Sequence, residues 1–91
     1  MSTNLYWRPL PKRRPEPKSG YALKWAIARR FGEHDGSCNE GPFTFTKDEV
    51  AWLQGVSDAD STHSREAGKE ADRLIKCIQD NPQGVEVWIG E

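Results

Sequence analysis

The most regular stretch of the chain lies between Ser64 and Gln79. At 100° per residue, Ala67, Ala71, Leu74, Ile75 and Ile78 fall within a narrow arc, while Glu66, Lys69, Glu70, Asp72, Arg73 and Lys76 lie outside it. One apolar stripe on a charged cylinder predicts an amphipathic helix packed by that stripe. Asn81-Pro82-Gln83-Gly84 ends the helix and turns the chain. VEVWIG then sets Val85, Val87 and Ile89 against Glu86 and Trp88, the period-two alternation of a half-buried strand. The same alternation over Phe43-Thr44-Phe45-Thr46 predicts a second short strand.

Thr46 also opens a capping box, Thr46-Lys47-Asp48-Glu49, with Glu49 at the N3 position. A helix to about Gly55 or Val56 is expected next, with Val50, Leu53 and Val56 inward and Trp52 at the margin. A further helix is predicted near residues 20–31, with Ser19 as its N-cap and Leu23, Ala26, Ile27 and Phe31 on one face. Trp25 falls roughly opposite that face and needs a second contact surface. Arg29 and Arg30 suit the negative end of the helix dipole, and Gly32 is placed to end the helix with a positive φ. Residues 33–42 are turn-rich, and Asp58-Ala59-Asp60-Ser61-Thr62 reads as a loop.

Residues 8–19 hold four prolines and five basic side chains. Proline fixes φ, lacks an amide donor and pushes its predecessor extended, so this stretch reads as an arm and not a helix. Leu5, Tyr6 and Trp7 just before it are residues that anchor to a core or a partner. The expected fold class is therefore α+β, with three helices packed on a short two-stranded sheet. An extended, proline-rich basic N-terminal arm over residues 1–19 precedes a small domain over residues 20–91. A two-stranded ribbon is marginal alone, and the three helices supply its packing partner.

Composition narrows the setting. Ninety-one residues support one small core. Hydrophobic residues make up 35% of the chain and its mean hydropathy is −0.84, so part of it is expected to lie outside that core. No apolar run approaches the roughly 18 residues that span a bilayer, no leader pattern opens the chain, and no membrane association is expected. Two cysteines, Cys38 and Cys77, are too few for a disulfide scaffold, so a reduced cytoplasmic setting is expected.

Charge is the strongest functional signal. Residues 1–30 hold eight basic side chains and one acid, a net +7, whereas residues 31–91 hold five basic side chains and thirteen acids, a net −8. Such asymmetry predicts an electrostatic partner, or one block lying on the other. The arm offers Tyr6, Trp7, Arg8, Lys12, Arg13 and Arg14 as binding residues, and Trp25 joins them if exposed. Basic and aromatic residues together neutralise phosphates and stack on bases, and aromatic residues also dominate protein interfaces. The acidic body could fill the basic groove of a nucleic-acid-handling protein, or receive the arm of a second copy in a homodimer.

Catalytic chemistry is poorly supported. His34, Cys38, His63 and Cys77 lack the paired spacing of a zinc site, so no metal is expected. Glu33 and Asp35 beside His34 read as a solvated turn. There is no nucleophile triad in local context, no phosphate loop and no nucleotide fingerprint, so no cofactor is expected.

LYWRPLP (Leu5 to Pro11), LKWAIARRF (Leu23 to Phe31) and EVWI (Glu86 to Ile89) together resemble a group of small uncharacterised proteins encoded by tailed bacteriophages and prophages. The resemblance covers about two thirds of the chain. It implies a phage origin and an intracellular setting in a bacterial host, and it transfers no catalytic or binding residue. The expected function is a non-enzymatic interaction protein that binds and modulates, or inhibits, a host or phage protein. The alternative is a nucleic-acid-binding protein with a winged-helix-like body, whose 64–79 helix would enter the major groove. The mixed charge of that helix and the −8 body oppose this alternative.

The phase of the long helix has a direct test. Leu74→Ala is expected to cost about 2–5 kcal/mol, the range for a buried leucine. An unchanged thermal melt would contradict the assigned inward face.

Overall fold

The computed structural model describes residues 3–10, 19–34, 37–58 and 65–91. In chain order these form strand β1 (Asn4–Pro9), helix α1 (Lys24–Phe31), strand β2 (Glu40–Phe45), helix α2 (Val50–Asp58), helix α3 (Arg65–Asp80) and strand β3 (Val85–Gly90). The fold is α+β, as expected, but the sheet has three strands in the order β1-β3-β2 and not two. Part of the expected arm is thus a strand. Asn4 to Pro9 pair antiparallel with Gly90 to Val85, because Leu5 and Trp7 alternate with Tyr6 and Arg8 as a half-buried strand requires. Leu5 is fully buried. Residues 11–18, which complete the expected arm, lie outside the described residues.

The helices cover one face of the sheet. Leu5, Phe45, Val85, Val87 and Ile89 meet Leu23, Ile27 and Ala28 of the first helix region, Leu53 of α2, and Ala67, Ala71, Leu74, Ile75 and Ile78 of α3. The long helix and the last strand therefore adopt the phases their periodicities predict. Phe31, Phe43 and Val50 pack against this core but stay partly exposed. Phe31 joins three elements, with ring centroids 4.9 Å from Phe45, 5.1 Å from Trp52 and 6.3 Å from Phe43.

The capping box forms as predicted. The Thr46 N–H donates to Glu49 Oε1 at 2.6 Å, and the Asp48 N–H donates to Thr46 Oγ1 at 3.3 Å. It starts a 3₁₀ turn over Lys47–Glu49 that runs into α2.

The start of α1 differs from expectation. Ser19 does not cap it. Its hydroxyl lies on β1 and accepts the Trp7 N–H at 3.0 Å. The cap comes instead from Glu70 on α3. Its carboxylate accepts the N–H groups of Tyr21 at 2.8 Å, Ala22 at 3.2 Å and Leu23 at 3.0 Å. Glu70 is 6% exposed, not on the solvent side where a helical wheel puts it. It sits only about 40° beyond Leu74 on that wheel, and three amide donors offset the cost of burying it. Gly20 makes this possible, since a Cβ there would lie 2.8 Å from Glu70 Cδ.

The other end of α1 differs in the same way. Gly32 has φ −96° and ψ −178°, an extended backbone rather than the expected positive φ. Glycine there leaves space for a carboxylate, since a Cβ would lie 2.7 Å from Glu40 Cδ. The Glu40 carboxylate accepts the N–H of Glu33 at 2.6 Å and of His34 at 3.0 Å.

The β1 edge is covered and the β2 edge is interrupted. Outside β1, the Leu5 N–H donates to the Gly20 carbonyl at 2.9 Å, and the N–H groups of Ser19 and Gly20 donate to the Leu5 carbonyl at 2.9 and 3.0 Å. At the outer edge of β2, alternation leaves Thr44 between Pro42, which has no N–H, and Thr46, whose N–H is taken by Glu49.

Removing the carboxylate that organises α1 is expected to cost more than a surface change. Glu70→Ala should lose about 3 kcal/mol in urea denaturation, because it leaves buried amide donors unpaired. Gly20→Ala should also destabilise. In the Glu70→Ala background that second cost should shrink, since the clashing carboxylate is gone. Additive losses would show that the two sites are independent.

Candidate interaction surface

The sequence candidates separate onto different faces. Alternation along β1 sends Tyr6 and Arg8 to the open face of the sheet and Trp7 to the helix-covered face. Trp7 packs there against the core, with the Arg73 guanidinium carbon 5.9 Å from its ring. On the open face Tyr6 stacks on Trp88 at 5.4 Å and 11°. Arg8 lies 4.9 Å from the Trp88 ring and binds Glu86 at 2.7 Å. A basic residue of the first block thus does lie on an acid of the second. A shallow cleft of about 410 Å³ adjoins this group, reaching Asn39 and Pro42. Of its charged walls Arg8 and Glu86 pair with each other, and Glu40 adds a further carboxylate. Lys12, Arg13 and Arg14 lie outside the described residues, as does His63.

Trp25 lies on a second surface, built by α1. It is 38% exposed and its neighbour Tyr21 is 40% exposed, the two large apolar side chains that stand out among the described residues. Burial of Leu23 and Ile27 on the inward face turns Trp25 outward, as the helical wheel requires. The rings of Tyr21 and Trp25 meet edge to face at 5.0 Å and 85°.

Lys24 fixes this pair from beneath. It is 2% exposed. Its ammonium donates to the Thr3 carbonyl at 2.6 Å and to Thr3 Oγ1 at 2.8 Å. The same Nζ lies 4.0 Å from the Tyr21 centroid and 4.5 Å from that of Trp25. Cation–π attraction strengthens when the cation is desolvated. The two exposed rings are therefore held over a buried charge, which ties β1's start to α1.

Next to Trp25, one turn along α1, a groove of about 290 Å³ separates α1 from α2. Ala26, Trp52 and Val56 form its apolar lining, and Arg29 and Arg30 rim it. Trp52 is half-buried against Phe31. Sequence reasoning picks out Trp25 but misses Lys24, whose signal is its place between Tyr21 and Trp25. The groove has no sequence signal, because it exists only where α1 meets α2.

Cys38 is exposed, and Cys77 is half-buried on α3 beside Asn81. Among the described residues no three His, Cys, Asp or Glu side chains converge as metal ligands, and no helix is long and apolar enough to cross a membrane. No family model, curated protein or solved structure matches the chain.

Burial lowers the Lys24 pKa below the ordinary 10.5. A cation whose folded pKa is depressed destabilises the fold at low pH, and that cost fades as pH rises through the folded pKa toward 10.5. Wild type should thus gain stability relative to Lys24→Met as pH climbs through that window. Nuclear magnetic resonance titration of the Lys24 side chain should give a midpoint under 10.5, and a midpoint at or above it would contradict the burial argument.

Proposed function

We propose that this chain is a non-enzymatic interaction protein, phage-encoded and acting in the cytoplasm of a bacterial host, that binds and modulates a host or phage protein. One observation carries the reading: Tyr21 and Trp25 are exposed yet packed over the buried ammonium of Lys24. An exposed aromatic pair costs solubility and adds nothing to the core, whereas Trp and Tyr beside Arg have the composition of an interface hot spot. The phage origin rests on the resemblance of the LYWRPLP, LKWAIARRF and EVWI segments alone.

A second reading has its own support. Tyr6 and Trp88 stacked on an open sheet face beside Arg8 would offer a platform for an unpaired base, and Lys12, Arg13 and Arg14 come soon after in the chain. A winged-helix mode is less favoured, because α3 presents Glu66 and Asp72 among Lys69, Arg73 and Lys76 on its exposed face.

The readings part in one experiment. Removing residues 1–18 is unsuitable, since it deletes β1. Lys12→Glu/Arg13→Glu/Arg14→Glu and Trp25→Ala leave the described core intact. For an interaction protein, a bacterial partner should survive nuclease treatment and be lost with Trp25→Ala. Submicromolar, steeply salt-dependent binding to generic single strands, abolished by the triple charge reversal, would support the second reading instead.

A further inference from the structure

The groove between α1 and α2 gives the proposed interaction role a specific ligand chemistry, and its assignment rests on that role. Arg29 and Arg30 occupy the last turn of α1. Part of their presence there is explained by the helix dipole. The dipole does not explain why both arginines line an apolar groove. The Arg30 guanidinium carbon lies 5.4 Å from the centroid of the Phe31 ring, within cation–π range. Among the described residues neither Arg29 nor Arg30 has a carboxylate within ion-pair distance, although the chain from residue 31 onward holds thirteen acids. The ion pairs that do form among those residues are Arg8–Glu86 and Lys69–Glu66, both remote from this groove in sequence.

The lining is selective as well. Ala26 is small, so it leaves space between the helices. Val56 and Trp52 supply apolar walls, and Trp52 is braced edge-on by Phe31. A space of about 290 Å³ with these walls has room for an apolar side chain. Two guanidinium groups with no acid paired to them among the described residues can donate to carboxylates with bidentate geometry.

We infer that the α1–α2 groove binds an acidic segment of a protein partner, seating one apolar side chain between Ala26, Trp52 and Val56 and pairing neighbouring carboxylates with Arg29 and Arg30. Trp25, four residues before Arg29, extends the same contact along α1. Charge complementarity identifies the occupant. A basic or neutral segment gains nothing from the rim.

The probe is a display library of short random peptides, selected on the full-length protein. The expected consensus pairs an aliphatic or aromatic residue with flanking Asp or Glu. Synthetic peptides of that consensus should lose at least about tenfold in affinity with Arg29→Glu/Arg30→Glu, a change of about 1.4 kcal/mol. They should weaken as salt rises. They should also weaken with Val56→Lys, which places a charge in the cavity. Both variants alter exposed or half-exposed positions, and a thermal melt establishes that each is folded. Amide shifts on binding should map to Ala26, Arg29, Arg30 and Val56. A consensus lacking acids, binding unaffected by the charge reversal, or no selected peptide at all would overturn the groove assignment. Peptides that instead depend on Tyr21 and Trp25 but not on Arg29 and Arg30 would overturn the groove assignment while leaving the interaction role standing. Selected peptides that shift only Tyr6 and Trp88 would count against both.

Discussion

The buried carboxylate of Glu70 organises the molecule. It reaches from α3 to three consecutive backbone N–H groups ahead of α1. Gly20, which makes space for it, also pairs with Leu5 on the outer edge of β1. One side chain therefore ties the long helix, the edge strand and the first helix together. The aromatic surface depends on this. Tyr21 is fixed because its amide is held, and Lys24 is fixed because the turn delivers it onto Thr3. A helix of eight residues has little stability of its own. Without that carboxylate, neither Trp25 nor the groove beside Arg29 would have a defined position.

Both ends of α1 use the same device. Gly20 yields to Glu70, and Gly32 yields to Glu40, each glycine lacking the Cβ that would strike a carboxylate. In each case the acid comes from another element and satisfies backbone amides flanking the helix. This makes α1 a helix whose boundaries are set by tertiary contacts rather than by its own residues. It also explains why local capping rules work at α2 and fail at α1. Thr46 and Glu49 are three residues apart and find each other within one turn. Glu70 lies 49 residues from Tyr21, and only the folded chain brings them together.

Legibility in the sequence divided along the same line. Periodicity located α3, β3 and the inner residues of β2, because those patterns depend on one face being apolar. The capping box was legible because it is local. The strand over Asn4–Pro9 was hidden by the prolines and arginines that come after it, although Leu5 and Trp7 already alternate with Tyr6 and Arg8. Proline is tolerated at Pro9 because β1 is an outer strand whose unpaired side needs no donor at that position. Trp25 was legible as an outward residue. Its support by Lys24 was not, since a lysine on a helical wheel is ordinarily solvated. The groove under Arg29 and Arg30 depends on the meeting of two helices that are separate in sequence.

The covered β1 edge and the interrupted β2 edge narrow the ways this protein can meet a partner. Ser19 and Gly20 occupy the outside of β1, and Pro42 with the Glu49 bond to Thr46 leaves β2 little edge to offer. Strand addition, a common route by which a small open sheet recruits another chain, is thus blocked at β1 and disfavoured at β2. This favours contact through side-chain faces. The open sheet face has spent much of its charge internally, with Arg8 on Glu86 and over Trp88. The α1 face has not, because among the described residues Arg29 and Arg30 have no acid in ion-pair range while Tyr21 and Trp25 are exposed. The split of charge along the sequence is thereby resolved unevenly in space. Part of the basic block is neutralised within the sheet, and what stays available beside an apolar cavity is the end of α1.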